Sequence, residues 1–261
     1  MHQSAEYKVL EAIRTEMETI PGHLGFYYKN LATGCEYSVR ADELFSAASV
    51  IKLPLFVHIL RRCSEGALRM EDKLLITQEE KVPICGALTL FTSEVEADVR
   101  TLCRLMISLS DNTATNRLIR HVTLKDAAAG FREMGLNQTK LNRLLFDEQA
   151  SQAGLQNEIC LKEIGMLLEK LYRNAFGSDV SQEALDVLQL QQVDHKLNGK
   201  MGGAVPIAHK TGEDEGISND VGIVYAKEPF VICFAGHDTD VYAWEDLMRR
   251  GTYELWLAQE H

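Results

Sequence analysis

The amino-acid sequence predicts an α+β fold, in which helices flank one antiparallel sheet and a helical lobe is inserted between its strands. Extended, alternating segments lie near both ends of the chain, at about 24–39 and again at about 204–235. The long stretch between them has the apolar spacing of helices, and helical patterns also open and close the chain. A sheet assembled from the two ends, with helices on it, accounts for all three observations.

The size and composition are those of an ordinary globular enzyme. The chain has 261 residues, of which 46% are hydrophobic and 25% charged, which suffices to bury a core without a metal or a disulfide. We expect one domain over 1–261, with an α/β lobe of about 1–44 and 195–261 and a helical lobe of about 45–194.

The first elements follow from local patterns. Val9, Leu10, Ile13 and Met17 recur on one side of an N-terminal helix. A turn at 30–34 separates two extended segments and predicts a hairpin. Helices are then expected at 49–62, 100–109, 113–121, 124–134, 161–172 and 182–191. Three strands are expected at 204–209, 221–226 and 230–235, before a closing helix at 241–257.

Charge and hydropathy exclude two classes of partner. The net charge of −11 disfavours nucleic acid, because phosphates would be repelled. No apolar run approaches the roughly 20 residues of a membrane-spanning helix. The opening residues lack the basic start and apolar run of a secretory signal. We therefore expect a cytoplasmic protein, or alternatively an exported one whose signal has been removed, and in either case a monomer.

The cysteines and histidines give no metal-binding spacing. The six cysteines are scattered without a C-x-x-C pair, and apolar neighbours predict buried, reduced thiols. The eight histidines form no H-E-x-x-H motif. We expect neither a metal nor another cofactor.

Three short motifs carry the chemistry. Ser49 and Lys52 form S-x-x-K, residues 110–112 are S-D-N, and residues 210–212 are K-T-G. We expect the first motif to open a helix, the second to end a buried helix and the third to follow a strand. Each alone is compatible with a helix cap or a surface lysine. All three in this order, in these settings, predict a serine-nucleophile site.

The first motif has a direct physical rationale. Residues three apart share one helix face, so the amine of Lys52 can reach the hydroxyl of Ser49 and act as its base. Burial and the positive charge of Lys210 would lower the pKa of that amine. Amides at the helix start can hold an oxyanion, and Ser110 would relay a proton to the leaving nitrogen.

The other two motifs are interpreted as substrate-binding elements. The side chain of Asn112 would contact a substrate amide, and Lys210 with Thr211 would bind a substrate carboxylate. Gly212 would let the substrate lie close to the strand backbone. The backbone N–H of Glu213 would be the second oxyanion donor.

These motifs and their flanks resemble the class A serine β-lactamases and the related penicillin-binding proteins. The resemblance covers about 45–236, and the matching stretches are FSAASVIKLPL, VRTLCRLMISLSDNTATNRLI and AHKTGEDEGISNDVGIVY. It implies a β-lactamase/transpeptidase-like fold with the active site between the two lobes. It also implies acylation of Ser49 by a β-lactam, followed by hydrolysis.

One departure from the family concerns the second half of that reaction. The family's deacylating glutamate lies in E-x-x-L-N shortly after an arginine. Arg143 matches the arginine, but the glutamate position falls on Leu145 and the asparagine position on Gln149. Asp147 or Glu148 could substitute if the loop shifts by two or three residues. Alternatively both are exposed loop acids, and deacylation is then slow.

A second departure concerns the substrate carboxylate. Many class A enzymes add an arginine beside the K-T-G strand, whereas 221–226 and 230–236 contain none. Lys210 and Thr211 would then act alone, or the natural substrate differs. The acidic residues Glu213, Asp214 and Glu215 would disfavour anionic substrates, unless they form an exposed turn.

Three functions remain open from the sequence. The first is a class A β-lactamase-like hydrolase, and the second is a peptidase or esterase with D-amino-acid or ester substrates. The third is a penicillin-binding module that is acylated and stops. The intact motifs favour the first two, and the missing glutamate favours the last two.

Overall fold

The computed structural model describes residues 4–260. Its helices are α1 Ala5–Met17, α2 Lys52–Ser64, α3 Val99–Ser108, α4 Asn112–Val122, α5 Leu124–Glu133, α6 Glu148–Gln152, α7 Leu161–Tyr172, α8 Ser178–Leu188 and α9 Val241–Glu260. Its strands are β1 His23–Asn30, β2 Glu36–Val39, β3 Leu44–Ser46, β4 Lys73–Ile76, β5 Val95–Asp98, β6 Glu158–Cys160, β7 Ile207–Asp214, β8 Ile217–Val224 and β9 Phe230–His237.

The main sheet joins the two ends of the chain. Its five strands are ordered β2-β1-β9-β8-β7, and every neighbouring pair is antiparallel. The pairing of β1 with β9 places Phe26 opposite Phe234. The predicted α+β class is confirmed, because strands from both ends form one antiparallel sheet and helices α2 to α8 lie between them in sequence.

Each face of the sheet is covered by a separate apolar cluster. One cluster joins it to the terminal helices and includes Leu10 and Ile13 of α1 and Trp244 of α9. The other extends through the central helices, where α2 buries every residue from Lys52 to Leu60. A helix buried on all sides is held rigidly by its neighbours. This helix therefore gives its N-terminal turn a fixed position.

The predicted hairpin and most predicted helices are confirmed, with shifts at their ends. Helix α7 has the predicted bounds, and the helix predicted at 182–191 begins and ends earlier, at Ser178–Leu188. The patterns did not reveal the short strands β3 to β6 or the five-residue helix α6. The strands pair only in twos, β3 with β6 and β4 with β5. Such short segments are too brief for a periodic signal.

One strand prediction is wrong in a way that matters for the site. The strand predicted at 204–209 begins at Ile207 and continues to Asp214, so K-T-G lies inside β7 and does not follow it. Lys210 pairs with Val221 of β8. Polar residues can lie in this buried strand because their side chains have hydrogen-bond partners.

The structure also corrects part of the cysteine prediction. All six thiols are free, and Cys103, Cys160 and Cys233 are buried as expected. Cys35 and Cys85 are exposed, because each lies in a loop or turn outside the core.

Within residues 4–260, no helix combines the length and apolarity needed to cross a bilayer. The division into two lobes at about 44 and 195 stays a prediction.

The carboxylate of Glu163 on α7 holds the start of the loop that follows α5 in place through backbone hydrogen bonds. It is mostly buried and accepts backbone hydrogen bonds from Asn137, Gln138 and Thr139 at 2.8–2.9 Å. We expect Glu163→Ala to lower the free energy of unfolding by about 2–4 kcal/mol, because three backbone N–H groups, of which that of Thr139 is buried, lose a charged acceptor. Urea denaturation followed by circular dichroism measures this change.

The matched control is Glu254→Ala, which removes an exposed glutamate from α9 and should change stability by less than about 0.5 kcal/mol. Equal effects of the two substitutions would contradict the role assigned to Glu163.

Candidate active site

Ser49 lies in a single turn of 3-10 helix, Ala48–Ile51, that leads directly into α2. Lys52 is the first residue of α2, and its Nζ lies 2.8 Å from Ser49 Oγ. The preceding residue, Ala48, has a φ of 41°, a strained value that is common at functional sites. The predicted Ser49–Lys52 contact is therefore present in the structure.

The amine of Lys52 is fully buried and has an arrangement suited to the neutral form. Besides Ser49 Oγ, it lies 2.8 Å from the carbonyl oxygen of Ser110 and 2.7 Å from Asn112 Oδ1. Both atoms only accept hydrogen bonds, so they can take the two N–H groups of a neutral amine. Its lone pair is then left for the hydroxyl proton of Ser49.

Burial, and next the charge of Lys210, place the pKa of Lys52 well below its usual value. Asn112 is oriented for its contact because its Nδ2 donates to the carbonyl of Ile84 at 2.8 Å. The structure therefore holds a desolvated amine against the serine, as the S-x-x-K spacing predicts.

The S-D-N residues lie in the tight connection between α3 and α4. Ser110 has a φ of 53°, and Asp111 caps α4 by accepting from Ala114 N at 2.8 Å. The second carboxylate oxygen of Asp111 accepts from Leu88 N at 2.9 Å. The motif therefore begins α4 as well as following α3, and its strained turn directs Ser110 towards Lys52.

Lys210 of β7 approaches the same serine from the opposite side. Its Nζ lies 3.2 Å from Ser110 Oγ, which is also 3.0 Å from Lys52 Nζ. Lys210 is fully buried, and burial lowers its pKa to about 7, although the nearby carboxylate of Asp220 opposes this shift. Ser110 Oγ therefore lies between the two lysines, and the three motifs meet at one point.

The glycine of K-T-G keeps β7 close to the nucleophile. A Cβ atom on Gly212 would lie 3.1 Å from the backbone nitrogen of Ser49 and 3.1 Å from the carbonyl oxygen of Ala47. A side chain here would crowd the amide of Ser49, which is a candidate oxyanion donor. Gly212 leaves this space open, and Glu213 follows it at the edge of the cleft.

The loop that precedes α6 forms another wall of the cleft. Asn116 of α4 holds Leu145 from both sides: its Oδ1 accepts from Leu145 N at 2.8 Å, and its Nδ2 donates to Leu145 O at 2.9 Å. Asp147 caps α6 by accepting from Ala150 N at 2.9 Å. Leu145, Asp147 and Glu148 all line the cleft that contains Ser49. The volume of this cleft is about 440 Å³, within the range of small-molecule sites.

Sequence reasoning missed a third buried lysine beside this site. Lys196 Nζ donates to the carbonyl of Asn219 at 3.1 Å and forms an ion pair with Glu213 at 2.9 Å. Strands β8 and β9 lack the arginine that many class A enzymes carry beside the K-T-G strand. Lys196 places a different cation near the end of β7. No motif surrounds Lys196, so only the folded chain reveals it.

The acidic residues after K-T-G have different surroundings. Glu213 is paired with Lys196, whereas Asp214 and Glu215 are exposed at the turn between β7 and β8. The interpretation as an exposed turn therefore applies to these two. For Glu213, the neighbouring cation offsets the repulsion of an anionic substrate.

A potential metal-ligand group lies on the far side of Glu213. His195, Glu213 and Glu245 bring ligand atoms within 4.8 Å of one another. Arg249 lies 3.8 Å from Glu245, and Lys196 lies beside Glu213, so both carboxylates already have cationic partners. A metal ion would have to compete with these cations.

An antiparallel sheet built from both chain ends, with a helical lobe inserted and the three motifs meeting beneath it, defines a β-lactamase/transpeptidase-like fold. The sequence model of the beta-lactamase enzyme family matches residues 8–250. The chain therefore belongs to the beta-lactamase enzyme family.

Individual relatives agree with this assignment. A β-lactamase from Rhodobacter capsulatus is 31% identical over 136 residues, which are 51% of this chain and 46% of that protein. The match thus spans less than half of the relative's length. Among solved structures, an ancestral class A β-lactamase superposes with a TM-score of 0.86 at 22% identity, covering 96% of this chain and 99% of its own.

A leucine-to-glutamate mutant of PBP-A, solved as an acyl-enzyme complex with penicillin G, superposes with a TM-score of 0.88 at 24% identity. The alignment covers 97% of each chain. Both structural likenesses show the fold.

The depressed pKa of Lys210 predicts a pH-dependent stability difference. Between about pH 7 and 10.5, the ordinary pKa of a lysine, the unfolded chain holds a proton that the folded chain has released, so the stability of the wild type rises with pH. We expect the stability of Lys210→Met relative to that of the wild type to be greatest below pH 7. This advantage should fall by about 4 kcal/mol as the pH rises to 10. Urea denaturation at a series of pH values measures it.

Lys227→Met controls for the loss of one positive charge, because Lys227 is exposed and outside the site. A difference between wild type and Lys210→Met that stays constant with pH would contradict the prediction.

Proposed function

We propose that the protein is a class A β-lactamase-like serine hydrolase that forms an acyl-enzyme on Ser49 and releases it slowly. The observation that carries this proposal is the position of one buried amine. Lys52 Nζ lies 2.8 Å from the hydroxyl of Ser49 and 3.0 Å from that of Ser110. A base between the nucleophile and a second hydroxyl can take one proton and pass it to the leaving group.

Acylation would follow from this geometry. Ser49 Oγ attacks the β-lactam carbonyl while Lys52 takes the hydroxyl proton. The carbonyl oxygen becomes an oxyanion held by the backbone N–H groups of Ser49 and Glu213. When the oxyanion collapses, the C–N bond breaks, and Ser110 donates a proton to the departing nitrogen. Lys52 then restores the proton of Ser110, so the proton count balances.

The substrate would be oriented by the remaining motif residues. The cation of Lys210 and the hydroxyl of Thr211 would bind its carboxylate, and Asn112 would contact the acyl amide. Lys196 pairs with Glu213 at the same end of β7 and offsets its negative charge. These contacts suit a small anionic molecule such as a β-lactam or an acylated D-amino acid.

The position of the loop before α6 supports slow release of the acyl group from Ser49. Leu145 lines the cleft and cannot activate water, and Asn116 holds its backbone at both N–H and C=O. That double contact opposes a shift by two or three residues. The carboxylate of Asp147 already accepts the capping hydrogen bond of α6. Asp147 and Glu148 remain possible deacylating acids only if this cap opens.

The first test follows the reaction with a chromogenic cephalosporin in a stopped-flow instrument. We expect a burst of about one equivalent, followed by turnover at least about 100-fold slower, the usual effect of lacking a general base. Intact-protein mass spectrometry should show the adduct, and Ser49→Ala should give neither burst nor adduct. Rapid, complete multiple turnover without an accumulating adduct would rule out slow release.

The second test restores a carboxylate to the loop. We expect Leu145→Glu to raise the steady-state rate at least about tenfold and to reduce the accumulated adduct, because the new carboxylate can activate water beside the ester. Leu145→Gln is the matched control, with the same shape and no base. An equal rate in the two variants would show that position 145 is not where deacylation fails.

A peptidase or esterase for D-amino-acid substrates is the second candidate, and a penicillin-binding module that does not turn over is the third. The apolar side chain of Leu145 favours both of these candidates, because neither requires rapid hydrolysis of the acyl-enzyme. Release of D-lactate from an acyl-D-alanyl-D-lactate ester, with loss in Ser49→Ala, discriminates the second candidate from the other two.

A further inference from the structure

We infer that Asn219 is a positioning residue for the acylation of Ser49, because its side chain fixes the turn that carries the nucleophile against the main sheet. The inference rests on the proposed function and concerns the two backbone N–H groups that would hold the oxyanion. Asn219 lies in β8, outside the three motifs.

The two proposed oxyanion donors belong to separate parts of the fold. The N–H of Ser49 lies in the short 3-10 turn before α2, whereas that of Glu213 lies in β7 of the main sheet. Both must point at one oxygen atom, so the distance between the turn and the strand has to be fixed. A contact that joins the turn to the sheet therefore bears directly on acylation.

Asn219 supplies this contact through its side-chain amide. Its Nδ2 donates to the carbonyl oxygens of Ser46 at 2.9 Å and Ala47 at 3.2 Å. The same oxygen of Ala47 accepts from Val50 N at 3.0 Å, which closes the turn that contains Ser49. In the part of the chain that the structure describes, no other hydrogen bond joins this segment to the main sheet.

The sheet holds the rest of the same residue. Asn219 Oδ1 accepts from the backbone nitrogen of Gly236 in β9 at 3.1 Å, and the backbone carbonyl of Asn219 accepts from Lys196 Nζ at 3.1 Å. The side chain is fully buried, and both of its polar atoms have partners, as burial requires. The amide therefore connects the turn that carries Ser49 to β8 and β9.

The register of the sheet places Asn219 beside the glycine of K-T-G. Asn219 pairs with Gly212 of β7, and directly opposed residues project from the same face of a sheet. A Cβ atom on Gly212 would lie 3.1 Å from both the Ser49 nitrogen and the Ala47 oxygen. The amide of Asn219 therefore binds the turn beside the space that Gly212 leaves open.

The test replaces this amide and follows formation of the acyl-enzyme. In Asn219→Asp the carboxylate can still accept from Gly236, but it has no hydrogen to donate to the two carbonyl oxygens. Asn219→Ala is the second variant, because it removes the amide without placing a charge in the interior. Quenched intact-protein mass spectrometry over a range of benzylpenicillin concentrations separates the dissociation constant from the rate constant for acylation.

We expect both substitutions to lower the acylation rate constant about 10- to 100-fold, because a misplaced oxyanion donor stabilises the transition state less. The dissociation constant should change less than about threefold, since Asn112, Lys210 and Thr211 are left in place.

A second measurement reports on the oxyanion donors themselves. The acyl-enzyme is made with benzylpenicillin that is isotope-labelled at the β-lactam carbonyl, and the infrared band of the ester carbonyl is recorded. In both Asn219 variants this band should move to higher wavenumber, because weaker hydrogen bonding to the oxygen leaves the C=O bond stiffer. A loss of stability alone would not move it.

Asn30→Ala is the matched control for loss of a buried asparagine. Asn30 is also fully buried, and its Nδ2 donates to Glu6 and Glu228. It lies at the end of β1, opposite the first residue of β9 and away from the site. Its replacement should destabilise the fold but leave the acylation rate constant within about twofold of wild type and the carbonyl band in place.

The outcomes separate this inference from the proposed function. An unchanged acylation rate constant, or an unchanged carbonyl band in an acylated Asn219 variant, would overturn the inference alone. An equal loss of rate in Asn30→Ala would also overturn it, because the effect would then follow from stability. Absence of an adduct in wild type would overturn the proposed function and the inference with it.

Discussion

The burial of Lys52 is the constraint on which the rest of the site depends. A desolvated amine is costly unless its hydrogen-bonding positions are matched, and the partners come from two separate segments, the turn before α2 and the start of α4. Lys210 brings a second buried amine from β7 to the same serine. Burial, and next the charge of Lys210, lower the pKa of Lys52, so a neutral amine is favoured beside Ser49.

The scaffold keeps these groups together because each is placed by a different rigid element. Helix α2 is enclosed on all sides, Asp111 fixes the start of α4, and β7 is an edge strand of the main sheet held by β8. The absence of a side chain at Gly212 lets that strand lie against the turn that carries Ser49. The candidate site at Ser49 therefore lies where the main sheet meets helices α2 and α4.

The two halves of the proposed reaction cycle have different support. The groups for forming an ester lie within hydrogen-bond distance of one another, whereas the position expected to hydrolyse it carries Leu145. Leu145 and Phe146 make that wall of the cleft apolar. The proposed slow release therefore depends on a side chain that cannot activate water.

The sequence by itself determined the α+β class, the hairpin, most helices and the three motifs, because these depend on local periodicity and on short, ordered residue patterns. It also located Leu145 by its distance from Arg143. Only the tertiary structure showed that K-T-G lies inside a strand, that the buried Lys196 pairs with Glu213 beside the end of β7, and that Asn116 fixes the loop. Those features join residues far apart in the chain, and a contact of that kind leaves no periodic signal; it exists only once burial has brought the side chains together.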